Sequence, residues 1–143
     1  MVNVRAYLRL SRPFTLVAPA VGGLLFALLA VRLEGVVFTA DVIFRVVTIA
    51  VVLAVANFVG NVLNQVFDLE IDSANPSKRS RPIPSGQVSP ENAMSLAWFL
   101  TLFIITLSWY LYGFLTSILL TVILVFAWLY SSPPARLRSR LFW

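Results

Sequence analysis

Four long apolar runs constrain the fold of this chain more than any other feature of its sequence. They cover residues 13–31, 45–67, 92–111 and 114–130. Each run reaches or approaches the roughly 20 residues that a helix needs to cross a bilayer. Because an open sheet cannot satisfy its backbone hydrogen bonds in lipid, all four are expected to be helices. The sequence therefore predicts an all-α, polytopic transmembrane bundle with four spans, forming a single membrane domain over residues 1–143.

The composition agrees with a membrane protein and narrows the possible chemistry. Only 12% of the residues are charged, about half the usual fraction in a soluble domain. The chain has neither cysteine nor histidine, which excludes disulfides, thiolate catalysis, imidazole acid–base chemistry and zinc sites built from these residues. A bound metal would need oxygen ligands, and this favours a hard cation such as Mg²⁺.

The basic residues indicate a topology rather than a nucleic-acid partner, because they flank the apolar runs in short clusters. Two of them, Arg32 and Arg45, fall on one predicted side of the membrane. The other side carries Arg5, Arg9, Arg12, Lys78, Arg79, Arg81, Arg136, Arg138 and Arg140. The positive-inside rule then predicts a multi-pass protein of the cell membrane, surrounded by lipid, with both termini and the connection 73–89 in the cytoplasm.

Three of the six acidic residues, Asp68, Glu70 and Asp72, fall within five positions at the end of the second run. Acids beside hydrocarbon are costly and are rarely kept without a partner or a function. On one continuous helix, the side chains of Asn57, Asn61, Asn64, Asp68 and Asp72 would share a face, with Glu70 opposite. Asp68 and Asp72, one turn apart, could contact one metal ion directly or hold two neighbouring ions, whereas Asn57 is expected to join helices through hydrogen bonds.

The connection 73–89 supplies the opposite charge through Lys78, Arg79 and Arg81. Arginine side chains match phosphate oxygens with two parallel hydrogen bonds. Carboxylates that bind Mg²⁺ beside cations that bind phosphate would together make a diphosphate site. Two other interpretations remain open: the acids pair with Arg79 or Arg81 in structural salt bridges, or the basic residues only set the topology.

These residues resemble a known family, the UbiA superfamily of intramembrane prenyltransferases. Its first aspartate-rich motif and the loop that follows are similar to Asn64-x-x-x-Asp68-x-x-x-Asp72, Asn75-Pro76 and Arg81-Pro82-Ile83-Pro84-Ser85-Gly86. Two shorter segments are also similar, Arg12-Pro13 and Tyr130-Ser131-Ser132-Pro133-Pro134. The resemblance is collinear over almost the whole chain.

The resemblance implies a transferase that moves a prenyl chain from a prenyl diphosphate to a lipophilic acceptor, with Mg²⁺ as cofactor. The acceptor could be a quinone, tetrapyrrole or ether-lipid precursor. By the same resemblance, Asn64, Asp68 and Asp72 would be the catalytic residues and would hold Mg²⁺. The diphosphate would contact Arg81 and Lys78, together with Arg79 and Tyr130.

One departure from the family concerns the later part of its fold, which has about nine spanning helices and a second aspartate-rich motif. After Asp72 the only acid in this chain is Glu91. The chain is therefore expected to be the N-terminal portion of a UbiA-type fold, incomplete without a C-terminal half or a partner chain. The alternative is a small non-enzymatic membrane subunit that binds a cation or assists assembly.

Overall fold

The structure, a computed structural model, describes residues 4–132. Within this range it contains helices and no strand. The helices are α1 (Val4–Ser11), α2 (Pro13–Leu33), α3 (Ala40–Phe67), α4 (Leu69–Ala74), α5 (Pro90–Tyr112) and α6 (Phe114–Ser131). Four of them, α2, α3, α5 and α6, are long and apolar enough to cross a membrane. The predicted all-helical architecture with four candidate spans is confirmed, whereas the larger fold of the resemblance stays a prediction.

The helix ends follow from local chemistry. Helix α3 begins earlier than the apolar run because the Thr39 hydroxyl accepts a hydrogen bond from the Val42 amide at 3.3 Å. Helix α5 begins with Pro90 after Ser89, whose hydroxyl accepts from the Asn92 amide at 3.2 Å. A single residue, Gly113, separates α5 from α6, and its φ of 85° favours glycine.

Helix α3 is the centre of the bundle and packs against α1, α2, α4, α5 and α6. Its buried apolar residues face buried residues of α5 and α6. This shared core contains Val52, Ala56, Val59, Val62, Leu63, Ala93, Ala97, Ile104, Leu120 and Leu124. Contacts with α3 therefore fix the positions of the other five helices, including those that meet at its C-terminal end.

The connection between α4 and α5 folds back over the end of the bundle. Ile83 and Val88 of this connection are buried in the core cluster. The Arg9 guanidinium of α1 donates a hydrogen bond to the Ser80 carbonyl at 3.2 Å. These contacts place the predicted basic loop beside the end of α3, where the predicted acids lie.

Candidate functional site

A polar cavity of about 380 Å³ lies where α3 ends. It is lined by Arg12, Asn64, Asp68, Lys78, Arg81 and Tyr130. These residues come from the α1–α2 junction, the end of α3, the connection 75–89 and the end of α6. The cavity thus brings together all the residues predicted from the sequence for metal and diphosphate binding except Asp72 and Arg79.

The backbone at the acids differs from the continuous helix that the spacing predicts. Helix α3 ends at Phe67, and Asp68 has φ −93° and ψ 10° before α4 begins at Leu69. The Asp68 amide still donates to the Asn64 carbonyl at 3.0 Å, and the Asp72 amide donates to the Asp68 carbonyl at 2.8 Å. The three predicted ligand residues therefore remain one turn apart across the interruption.

Asp72 lies beneath the cavity wall and is 0% exposed. Its Oδ2 is 2.5 Å from Arg81 Nη1, and its Oδ1 is 3.2 Å from Lys78 Nζ. A buried carboxylate without a partner would be strongly destabilising, so the two cations stabilise its charge. One carboxylate thus holds two cations, and both cations also line the cavity. Of the two open interpretations, ion pairing is present at Asp72, with Lys78 and Arg81 as its partners.

Asn64 joins the end of α3 to the end of α6. Its Oδ1 accepts a hydrogen bond from the Ser131 hydroxyl at 2.7 Å, next to Tyr130 in the cavity wall. Aromatic contacts reinforce this junction: the centroid of the Trp128 ring lies 4.4 Å from that of Trp98, in a tilted arrangement, and 6.2 Å from that of Phe67, edge to face. The position of Tyr130 beside Asn64 is therefore set by packing between helices that are distant in sequence.

Other predicted residues lie away from the cavity or bond differently from expectation. Arg79 and Glu70 are exposed, and neither lines the cavity. Asn57, expected to join helices, accepts a hydrogen bond at 3.2 Å from Asn61 of the same helix. Asn61, one turn later on α3, makes the hydrogen bonds to the α1–α2 region instead.

Arg12 lines the cavity but was not predicted from the sequence as a site residue. Arg12 lies between α1 and α2 with φ 51° and ψ 64°, a left-handed conformation that costs a non-glycine residue roughly 1–3 kcal/mol. The sequence carried one signal of this break, because a residue before proline is disfavoured in the right-handed helical region. The arginine itself was interpreted as a topology signal and as part of the Arg12-Pro13 resemblance, without a role in binding.

A second pocket, of about 320 Å³, adjoins the polar cavity and shares Asn64 with it. It lies between α2, α3 and α6, deeper in the bundle. Its lining is Pro19, Leu53, Ala56, Asn57, Gly60, Asn61, Asn64, Ile123 and Ala127. The site therefore offers a charged compartment at the helix ends and a largely apolar compartment beside it.

The oxygen atoms available for a metal are few. The polar cavity contains one side-chain amide, that of Asn64, and one carboxylate, that of Asp68. Within residues 4–132, no group of three or more acidic, histidine or cysteine side chains is close enough to hold a metal ion. The described part of the chain can thus supply a partial set of hard oxygen ligands. Such a set suits Mg²⁺, which usually takes one or two carboxylates together with substrate phosphates and water.

Comparison with known proteins identifies relatives along almost the whole chain. Residues 16–143 match the UbiA prenyltransferase family. The digeranylgeranylglyceryl phosphate synthase of Methanoregula boonei is 32% identical over 138 residues, which are 96% of this chain and 44% of the relative. The synthase of the same name from Sulfurisphaera tokodaii is 33% identical over 127 residues, 87% of this chain and 42% of the relative.

A third relative of that name, from Methanopyrus kandleri, is 38% identical over 95 residues, 66% of this chain and 31% of the relative. The chain spans less than half the length of these curated relatives. No solved structure gives a significant match.

Proposed function

Because this chain belongs to the UbiA prenyltransferase family, we propose that it forms the diphosphate-binding part of an enzyme that transfers a prenyl chain to an ether-lipid precursor. The observation that carries the proposal is the polar cavity, in which Asn64 and Asp68 lie with three cationic side chains, Arg12, Lys78 and Arg81. Metal-binding oxygens beside phosphate-binding cations are the combination that a prenyl diphosphate with Mg²⁺ requires.

The cations of the cavity stabilise the leaving group. Negative charge develops on the diphosphate as the allylic carbon–oxygen bond breaks, and positioned arginine and lysine side chains lower the energy of that charge. Mg²⁺, when bound, would act as a Lewis acid on the same phosphate oxygens. Asn64 and Asp68 are the residues that would hold it.

Asp72 has a different part in the proposal from the one that the motif alone implies. In the structure Asp72 forms ion pairs with Lys78 and Arg81, one through each carboxylate oxygen. A diphosphate entering the cavity would compete for these cations, since it carries more negative charge than one carboxylate. The Asp72 carboxylate, released from its partners, would then be available as a further metal ligand.

The deeper pocket suits the apolar part of the donor. Its alanine, leucine and isoleucine side chains continue from the charged compartment at Asn64. A compartment that excludes water would protect an allylic carbocation from hydrolysis. The prenyl chain would therefore extend from the polar cavity into the interior of the bundle.

The substrates are proposed from the names of the relatives, which are digeranylgeranylglyceryl phosphate synthases. A prenyl transfer that makes such a product would use geranylgeranyl diphosphate as donor and a geranylgeranylglyceryl phosphate as acceptor. Of the three acceptor classes that the resemblance left open, we therefore propose the ether-lipid precursor.

The test uses the full product of the gene, including any residues that follow Trp143. We call it the encoded protein. Purified encoded protein is incubated with labelled geranylgeranyl diphosphate, geranylgeranylglyceryl phosphate and Mg²⁺, and the doubly prenylated product is measured. We expect product formation that chelation of Mg²⁺ abolishes. Asp68→Asn should lower the rate by about a hundredfold or more, because it removes a charged ligand where transition-state charge is stabilised.

The matched control is Glu70→Gln, which neutralises an exposed acid two residues away and outside the cavity. It should leave the rate within a factor of two or so, as expected for a surface substitution away from the site. Equal losses in the two variants would contradict the assignment of Asp68. Product formation that is unchanged by chelation would contradict the role of Mg²⁺.

A further inference from the structure

We propose that the side-chain amides of Gln65 and Asn61 are positioning residues that hold the break between α1 and α2 and thereby direct the Arg12 guanidinium into the polar cavity. The inference rests on the proposed function, since it concerns a ligand contact in the same cavity. Gln65 does not line that cavity and would act only through Arg12.

The break between α1 and α2 leaves backbone groups that need partners. Helix α1 ends at Ser11, Arg12 has a left-handed conformation, and α2 begins with Pro13, which has no amide hydrogen. The last carbonyls of a helix have no partner within it. A left-handed non-glycine residue persists only where its surroundings hold it in place.

Gln65 supplies the first support from α3. This side chain is buried, with 1% of its surface exposed. Its Nε2 donates to the Leu10 carbonyl of α1 at 3.1 Å and to the Asn61 carbonyl of its own helix at 3.4 Å. A buried amide that loses its hydrogen bonds lowers the stability of the fold. The Gln65 side chain and the Leu10 carbonyl therefore hold each other in place.

Asn61 supplies the second support, one turn earlier on α3. Its Nδ2 lies 3.2 Å from the Ser11 carbonyl and 2.8 Å from the Thr15 hydroxyl oxygen. The Thr15 hydroxyl in turn donates to the Arg12 carbonyl at 2.8 Å. A chain of hydrogen bonds therefore runs from α3 to the backbone of Arg12 itself.

The same helix thus sets both sides of the cavity. Helix α3 carries Asn64 directly, and through Gln65 and Asn61 it holds the backbone that presents Arg12. A guanidinium whose backbone is already fixed loses less conformational entropy on binding an anion than one on a free loop. The amides would accordingly raise the affinity for diphosphate without touching it.

The experiment is a set of double-variant cycles in the encoded protein, read out as the dissociation constant for geranylgeranyl diphosphate with Mg²⁺. Gln65→Met removes the amide donors at similar side-chain volume, and Arg12→Ala removes the proposed ligand. Each should weaken binding by about tenfold, in line with the loss of one charge-assisted contact. The double variant should bind no more weakly than Arg12→Ala alone.

Two further variants separate positioning from general destabilisation. In the Lys78→Ala background, Gln65→Met should still weaken binding by its full factor, because Lys78 is held by Asp72 and not by the amides. Gln87→Met is the same substitution at an exposed amide whose donor bonds only to Ser85, and it should leave binding unchanged. If Gln65→Met does not fold, Asn61→Ala takes its place in the same cycles.

The possible outcomes are distinct. Equal losses from Gln65→Met with and without Arg12 would overturn the inference and leave the proposed function standing. Normal binding by Arg12→Ala would also overturn the inference without affecting the proposed function. Absence of Mg²⁺-dependent binding by the unsubstituted protein would overturn the proposed function and the inference with it.

Discussion

Asp68 and Asp72 are one turn apart in sequence, yet their surroundings give them different chemistry. Asp68 lines the cavity, whereas Asp72 is buried and holds Lys78 and Arg81. The shape of the guanidinium matters at this point, because Arg81 must serve a carboxylate on one side and the cavity on the other. The planar guanidinium has several donors in a fixed fork that matches phosphate oxygens in a bidentate way, and a lysine ammonium does not reproduce that geometry.

Arg81→Lys tests this argument at the residue scale. The charge is kept and the two-pronged geometry is lost, so we expect the affinity for geranylgeranyl diphosphate to fall by about tenfold while the protein stays folded. The measurement is equilibrium binding by the encoded protein in the presence of Mg²⁺.

Arg79→Lys is the control for Arg81→Lys, because Arg79 is exposed and lies outside the cavity lining. Its affinity should be unchanged. A tenfold loss in Arg79→Lys with none in Arg81→Lys would show that the diphosphate contacts the exposed arginine, as the sequence alone allowed.

At the scale of the helices, the site depends on how closely α2 approaches α3, since α2 begins next to Arg12. The two helices approach closely at Gly23 of α2. A Cβ there would lie 2.7 Å from Leu53 Cδ1 and 3.2 Å from the Ala50 Cα of α3. The neighbouring Gly22 has open space at the same position. The pair of glycines thus contains one residue that packing requires and one that it does not.

Gly23→Val and Gly22→Val form a matched pair that tests this packing. Gly23→Val should lower the free energy of unfolding by about 1–3 kcal/mol, because the added side chain must displace the Leu53 side chain and crowds the Ala50 Cα of α3. Gly22→Val changes helix propensity by the same amount and meets no neighbour, so its stability should stay close to that of the unsubstituted protein. The measurement is thermal or denaturant unfolding in detergent, and equal destabilisation of both variants would contradict the close approach.

At the scale of the whole molecule, the polar cavity lies at the end of the bundle formed by the start of α2 and the end of α3. The far end of the bundle is tied differently. Arg45 pairs with Asp41 at 2.8 Å and donates to the Leu111 carbonyl at the end of α5, while the Tyr112 hydroxyl donates to the Arg45 carbonyl at 2.7 Å. Because the basic residues are concentrated at the cavity end, we propose that this end faces the cytoplasm.

Cysteine labelling tests this orientation cleanly, because the chain has no cysteine of its own. We expect Gln87→Cys, at the cavity end, to react with a membrane-impermeant maleimide only after cells are opened. Glu34→Cys, at the end of α2 on the opposite side, should react in intact cells. Both positions are exposed in the structure, so access depends on sidedness alone. Reaction in the reverse order would place the cavity outside the cell.

The sequence by itself determined the helical architecture and predicted most of the residues that line the polar cavity. Apolar runs of spanning length leave no alternative to helices in lipid, and this predicted α2, α3, α5 and α6. Helical spacing and the rarity of charge in such a chain indicated Asn64 and Asp68, because an acid beside hydrocarbon needs a reason to be there. These are local properties, which a pattern of residue types can reveal.

The tertiary structure alone decided which acid is buried against Lys78 and Arg81 and which acid lines the cavity. No spacing rule predicts that Asp72 holds Lys78 and Arg81 while Asp68 lines the cavity, since this depends on how the connection 75–89 folds back onto the bundle. Arg12 and Gln65 were missed for the same reason. Their roles arise from hydrogen bonds between α3 and residues some fifty positions earlier, and contacts of that range are set by packing rather than by local sequence.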